Sequence, residues 1–217
     1  MVKTKQSVSL QPELSDKIII AGLDEVGRGP WAGPIVACAY VETTPVVGVK
    51  ITDSKKMNEA ERETAYEILI TSGYAGIGMV EAPEIDKLGL TKANRLAFRR
   101  ALENLKITPD LVLIDGNDKV DKASILNIPF RSFIKGDSAI RAISCASIVA
   151  KVTRDRLMKR LAKKYPNYRF EEHKGYGTSL HKKLLKQFGV SEIHRHSYKP
   201  VQMLLQEKCV LEIDHCL

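Results

Sequence analysis

Three short apolar runs in this 217-residue chain each stop abruptly at acidic residues. Residues 18–23 run into Asp24 and Glu25, residues 111–114 into Asp115 and Gly116, and residues 130–134 into Lys135, Gly136 and Asp137. Short apolar runs bounded by Gly, Pro or Asp read as strands. If such strands lie parallel in an open α/β sheet, their ends share one crevice, and Asp24, Glu25, Asp115 and Asp137 meet there. Each acid alone is also an ordinary turn residue, above all Asp115 before Gly116. The coincidence at three strand ends sets a metal site beside the turn reading as an equal alternative. Clustered carboxylates repel and raise one another's pKa unless cations neutralise them, and oxygen-only donors suit hard ions such as Mg²⁺ or Mn²⁺.

The rest of the chain alternates strand-like and helix-like stretches. Residues 35–41 and 74–80 read as further strands, and 58–71 and 91–105 as helices. Residues 138–164 read as one long helix, apolar nearly all round in its first half and basic from Arg154 onward, ended by Tyr165 and Pro166. These elements predict an α/β fold, a mixed sheet flanked by helices over about the first 150 residues, followed by a small basic helical appendage. Asp155 lies on the same stretch as Asp137, and on one continuous helix the two stand about 27 Å apart. Asp155 is therefore expected to be an ion-pair partner and not a fellow metal ligand.

Charge is concentrated late. Residues 151–200 hold 14 Lys or Arg against 4 Asp or Glu, whereas residues 1–150 balance at 19 against 19. A neutral body carrying one basic segment is the layout of a face that tracks a phosphate backbone, with a solvated helical surface as the plainer alternative. No apolar stretch has the length of a membrane span or a signal-peptide core, so a cytoplasmic protein without a membrane partner is expected. Cys38, Cys145, Cys209 and Cys216 fit neither a zinc pattern nor a disulfide framework and are expected as reduced structural thiols.

All five histidines, at 173, 181, 194, 196 and 215, follow the acids in sequence. His194-Arg195-His196 is read as structural or phosphate-facing. With no histidine beside the acids, hydrolysis by an external water on carboxylate-held metal is favoured over a histidine acid–base pair acting through a 2′-hydroxyl. The segment from Gly27 to Gly33 misses the dinucleotide fingerprint by one residue, and no Gly-Lys-Ser/Thr follows it for a P-loop. Its glycines still allow close backbone approach to phosphate or ribose oxygens.

Several stretches together resemble ribonuclease HII, the type 2 ribonuclease H family. They are Gly22-Leu23-Asp24-Glu25-Val26-Gly27-Arg28-Gly29-Pro30, Asp53-Ser54-Lys55-Lys56, Leu113-Ile114-Asp115-Gly116 and Lys135-Gly136-Asp137. To these are added the stretch from Ala146 to Asp155, His173-Lys174-Gly175-Tyr176-Gly177-Thr178 and Ile193-His194-Arg195. The resemblance implies a ribonuclease H-like mixed five-stranded sheet with helices and a small C-terminal helical domain. Its expected divisions are a polar extension at 1–17, a catalytic domain at 18–155, and a basic helical domain with a tail at 156–217.

It also implies Asp24, Glu25, Asp115 and Asp137 as catalytic carboxylates holding two Mg²⁺ or Mn²⁺ ions. Gly27, Arg28, Gly29 and Tyr176 would recognise the 2′-hydroxyl at a junction between ribonucleotide and deoxyribonucleotide, and Lys55 would lie near the phosphates. The implied activity is cleavage of the RNA strand of RNA/DNA hybrids and cutting 5′ of single ribonucleotides embedded in duplex DNA, leaving 5′-phosphate and 3′-hydroxyl ends. A monomer serving DNA replication and repair is expected. Type HII is favoured over type HIII because about 17 residues precede the first strand. Cys145 stands where the family usually has Ala. Gln202-Met203-Leu204-Leu205 faintly resembles a sliding-clamp peptide but lacks an aromatic anchor. Two rival readings are a non-catalytic nucleic-acid-binding protein, which leaves the acids without a purpose, and a nucleotide-dependent enzyme using the Gly-rich loop.

Overall fold

The structure, a computed structural model, describes residues 18–116 and 120–214, and side chains as far as residue 206. The extension expected at 1–17, His215, Cys216 and the side chain of Cys209 lie outside the described residues. Strands β1 (Ile20–Val26), β2 (Ile35–Glu42), β3 (Gly73–Val80), β4 (Leu111–Asp115) and β5 (Phe130–Phe133) form one sheet in the order β3-β2-β1-β4-β5. The sheet is mixed, as expected. β1, β4 and β5 run parallel, whereas β2 is antiparallel to both β1 and β3.

Alternation along β2 shows how the layers are built. Ile35, Ala37, Ala39 and Val41 face one core, while Cys38 and Tyr40 face another. Helix α3 (Leu90–Glu103) closes the first core with Ala93, Ala97, Phe98, Ala101 and Leu102. Helices α1 (Glu59–Ser72) and α5 (Arg141–Lys164) close the second. Asn58 caps α1 in a reciprocal capping box with Glu61, matching the start expected at residue 58. The free thiols Cys38 and Cys145 are both buried in the second core, as expected of structural cysteines. Helix α2 (Ala82–Leu88) was not expected from the sequence; Pro83 sits in its first turn, where its missing N–H costs nothing.

The long helix expected from residue 138 is broken. A single turn, α4 (Gly136–Ala139), is separated from α5 by Ile140, which is extended at φ −119° and ψ 112°. The Ser144 hydroxyl donates to the Asp137 carbonyl at 2.7 Å and holds this break. Asp155 is an ion-pair partner as expected, 2.8 Å from Lys151 and 4.0 Å from Arg62. Helix α5 also runs through the division expected at 155/156.

Its C-terminal half packs Met158 and Ala162 into a third core with Ala32, Tyr168, Phe170, Leu185 and Val201. That core gathers α6 (Phe170–His173), α7 (Ser179–Phe188) and α8 (Lys199–Asp214). In α8, Leu204 packs inward, while Gln202, Met203 and Leu205 are exposed. Among the described residues no helix is long and apolar enough to cross a membrane.

Candidate active site

Registers explain why the acids converge. β1 pairs with β4 only as far as Leu23 opposite Ile114, so Asp24 and Asp115 follow side by side where this pairing stops. β4 in turn pairs Asp115 with Phe133 at the end of β5, and the chain then turns through Lys135 and Gly136 into Asp137. One oxygen from each of Asp24, Asp115 and Asp137 lies within 4.8 Å of the others. The sequence placed Asp24 and Glu25 beyond the first strand. They lie inside it, because β2 continues to pair with β1 as far as Val26.

Asp24 is 6% exposed. Burial, followed by repulsion from Glu25 and Asp115, pushes its carboxyl pKa well above the ordinary value, against a smaller opposing effect of the Ser147 hydroxyl. The other two acids are held by local contacts. Gly136 donates its N–H to Asp115 Oδ1 at 2.7 Å, and Lys55 Nζ stands 3.4 Å from Asp137 Oδ2. Asp53, Lys55, Lys56, Asp115, Lys135, Asp137 and Ser138 line an open pocket of about 380 Å³.

Glu25 is not one of those three, yet it lies close to them: after burial its charge is the largest influence raising Asp24, and its carboxylate accepts from Arg28 at 3.3 Å. The structure thus brings together three of the four expected carboxylates and places the fourth beside the Gly27–Arg28–Gly29 turn.

That turn meets the expected Tyr176 from the other side. A methyl group built on Gly29 would stand 4.0 Å from Tyr176 Cε1, so the two border one gap. Tyr176 is 39% exposed there. Gly27 has φ +95°, and a Cβ on it would fall 2.4 Å from Arg154 Nε, so no other residue fits that position without strain. The Trp31 N–H donates to the carbonyl oxygen of Gly175, which has φ +83°, at 2.8 Å, tying the two loops together.

Sequence reasoning missed what holds this junction. Arg154 and Arg195 are fully buried. Arg154 donates to the carbonyls of Pro34, Ala32 and Lys174, and Arg195 to those of Gly27, Arg28 and Gly33. Arg154 is thus no part of a solvated basic face. Burial pulls its pKa down to about 10, which leaves it charged at neutral pH. The spacing Ile143, Ser147, Ala150, Arg154, Met158 follows one buried helical stripe, and that was the signal available.

The family model described as ribonuclease HII matches residues 21–201. The chain belongs to the ribonuclease HII family. A curated relative named ribonuclease HII from Maricaulis maris is 39% identical over 216 residues, covering 99% of this chain and 96% of its own. The fold is similar to the crystal structure of ribonuclease H2 from Pyrococcus horikoshii, with TM-score 0.71 and 26% identity over 88% of this chain and 98% of that one. In fold alone it also resembles the RNase HII of a PCNA:RNase HII complex from Archaeoglobus fulgidus, with TM-score 0.72 and 21% identity over 84% and 96% of the two chains. The same holds for Bst-RNase HIII in complex with Mn²⁺, with TM-score 0.71 and 16% identity over 94% and 76%.

As a ribonuclease HII family member the protein is a ribonuclease H, a hydrolase of nucleic-acid substrates. The donor set fits the divalent-metal dependence of that family. Three carboxylates share one small volume, all their donors are oxygen, and Asp24, raised by burial and then by its acidic neighbours, is a site where a hard cation would relieve the cost of ionisation.

Proposed function

We propose that the enzyme cuts the RNA strand of RNA/DNA hybrids and also cleaves 5′ of a single ribonucleotide embedded in duplex DNA, leaving 5′-phosphate and 3′-hydroxyl ends. The observation that carries the reading is the convergence of Asp24, Asp115 and Asp137 within 4.8 Å, with Asp24 on the strand that leads into the Gly27–Gly29 turn bordering Tyr176. Two divalent ions, Mg²⁺ or Mn²⁺, would supply there an activated water and charge stabilisation at the departing 3′-oxygen.

Asp24, Asp115 and Asp137 would hold those ions, and Glu25 would join from the neighbouring position at the site's edge. Lys55 is free to swing from Asp137 to a substrate phosphate, since its side chain is 76% exposed. The amides of Gly27, Arg28 and Gly29 and the Tyr176 phenol would meet the 2′-hydroxyl, the group that separates RNA from DNA. The helices after residue 155 would close over the duplex and contribute phosphate contacts through α7. Asp24, Asp115, Asp137 and Tyr176 belong to one chain, which supports a monomer as the working unit. The proposed setting is cytoplasmic replication and repair. A sliding-clamp contact would use the exposed Gln202, Met203 and Leu205 of α8.

The test is a duplex with one ribonucleotide beside a continuous hybrid, each with Mg²⁺, Mn²⁺ or EDTA. Cleavage of both with either metal, none with EDTA, and 5′-phosphate products are expected. Products with 2′,3′-cyclic ends would overturn the external-water mechanism. Tyr176→Ala should lower kcat/KM at the lone ribonucleotide more than Tyr176→Phe does, and equal wild-type values for Tyr176→Ala on both substrates would remove Tyr176 from the reading.

A further inference from the structure

Beneath Tyr176 lie three buried histidines that the acidic site does not use. His181 is fully buried, His194 is 1% exposed and His173 is 7% exposed. Their rings form one cluster. His173 and His181 stack with centroids 4.3 Å apart, and His181 Nε2 lies 3.1 Å from His194 Nε2. Trp31, Tyr168 and Phe170 pack around them.

The partners fix every ring proton. His181 Nδ1 lies 3.0 Å from the Tyr176 carbonyl oxygen, which can only accept, so Nδ1 carries the hydrogen. The Ser191 N–H donates to His194 Nδ1 at 3.0 Å, so that nitrogen carries a lone pair and the His194 proton sits on Nε2. His194 Nε2–H then donates to the bare Nε2 of His181. On His173, Nε2–H donates to the Tyr168 carbonyl at 2.8 Å, and Nδ1 accepts from the Gly175 N–H at 3.2 Å. The result is a directed chain from Ser191 through His194 and His181 to Tyr176, with every ring neutral. Burial lowers the pKa of all three rings, which agrees with that assignment.

The chain ends on the backbone of Tyr176, whose N–H donates to the His173 carbonyl at 2.9 Å and whose carbonyl accepts both from His181 Nδ1 and from the Thr178 N–H at 2.8 Å. A backbone atom held by a ring that is itself held by another ring loses freedom to shift, and the phenol it carries stays over the gap beside Gly29.

We propose that His181, oriented by His194 and Ser191, is a positioning residue that holds Tyr176 against the Gly29 turn and thereby sets how fast the enzyme cuts at a lone ribonucleotide relative to a continuous hybrid. The inference rests on the reading of Tyr176 as the group that meets the 2′-hydroxyl. His181 touches no substrate; it acts through the Tyr176 carbonyl.

Two measurements test it. The first is the ¹⁵N–¹H spectrum of the histidine rings in the wild-type protein at neutral pH. His181 should carry its proton on Nδ1, the less common tautomer, while His173 and His194 carry theirs on Nε2. A His181 ring protonated on Nε2, or on both nitrogens, overturns the chain.

The second is the ratio of kcat/KM on the lone-ribonucleotide duplex to that on a continuous hybrid, for wild type, Tyr176→Ala, His181→Leu and His181→Asn. His181→Leu should lower the ratio on the order of tenfold, the weight of one hydrogen bond. Asn places an N–H where Nδ1–H stood, so His181→Asn should recover most of the loss. A ratio unchanged in His181→Leu but lowered in Tyr176→Ala overturns the positioning role and leaves the Tyr176 reading intact. A ratio unchanged in Tyr176→Ala as well overturns the Tyr176 reading and the selectivity role together, while the ring spectrum still decides the chain itself.

Discussion

Lys55 Nζ stands 3.4 Å from Asp137 Oδ2, yet the lysine side chain is 76% exposed. Partial burial pulls the ammonium pKa down, but Asp137, Asp24 and Asp53 together outweigh it and hold Lys55 above its ordinary value. The ammonium therefore sits where a divalent ion would compete with it. Lys55→Ala should lower the Mg²⁺ concentration for half-maximal activity by roughly twofold, the scale of an exposed ion pair. The same change should raise KM for the duplex through loss of a phosphate contact. A metal titration identical to wild type would show that Lys55 and the ion do not share Asp137.

Asp24 is the most buried charge-bearing member of the acidic trio after Asp137, and its neighbours make ionisation costly. Its folded pKa lies above the unfolded value, so its contribution to stability is lost as pH rises from the unfolded value through the folded one. Asp24→Asn removes that burden at neutral pH without changing size. In EDTA the variant should melt at a higher temperature than wild type, and Mg²⁺ should raise the wild-type Tm but move that of the variant much less. Cleavage should fall by on the order of 10³-fold, the several kcal/mol expected of a Lewis-acid site. Near-normal turnover in saturating Mg²⁺ would take Asp24 out of the catalytic set.

The acids were legible because apolar runs that stop at carboxylates are a local pattern. Where each strand truly ends was not, since β1 continues past Asp24 only because β2 pairs with it from the far side. Strand alternation, which the sequence does carry, accounts for Glu25 falling outside the trio, while its charge still acts on the adjacent Asp24. The break at Ile140 was hidden inside an apolar run that suits a helix equally well. Arg154 and Arg195 look like any basic residues in sequence. Their burial depends on carbonyls contributed by residues 27–34, more than a hundred positions away. Tyr176 was found through the family resemblance, because a tyrosine between two glycines is otherwise an ordinary turn.

The histidine cluster predicts an acid limit to stability. His181 and His194 are neutral in the fold, with pKa lowered by burial to about 4 and about 3, whereas unfolded histidines titrate near 6.5. As pH falls below about 6.5 the unfolded chain takes up protons first, so stability present above that value is progressively lost toward the folded values. Each ring contributes a slope of about 1.4 kcal/mol per pH unit within its window. Urea midpoints from pH 7 to pH 4.5 should fall, and His181→Asn, which cannot titrate, should flatten the decline by about one proton's worth. A decline of equal slope in that variant would assign the acid limit to other groups.

Lys182, Lys183 and Lys186 project from α7 and are all exposed, while His181, Leu184 and Leu185 on the same helix are buried. Lys182 and Lys186, one turn apart, border a groove with Trp31 and Lys199. Each phosphate neutralised by such a residue adds about 0.9 to the slope of log affinity against log salt on a duplex. Replacing the three by Gln should flatten that slope by about one to three units, with metal binding unchanged. An unaltered slope would show that this face of α7 points away from the nucleic acid.

Gly27 and Gly29 are separated by one residue but should respond oppositely to the same small change. At Gly27 the backbone φ is +95° and a methyl would collide with Arg154 and with the Pro34 carbonyl, so Gly27→Ala should destabilise the fold outright. Gly29 has no such φ, and a methyl there meets nothing nearer than Tyr176 Cε1 at 4.0 Å, an ordinary contact. Gly29→Ala should therefore keep or slightly raise stability, by about 0.4 to 1 kcal/mol, because it restricts the unfolded chain. The methyl would nevertheless narrow the gap between the turn and the Tyr176 ring, which is where the ribose is proposed to enter. Cleavage at a lone ribonucleotide should drop sharply in a protein whose Tm and metal titration match wild type. If Gly29→Ala folds normally and cuts that substrate as fast as wild type, the sugar does not pass between Gly29 and Tyr176, and junction recognition must be sought elsewhere on the surface.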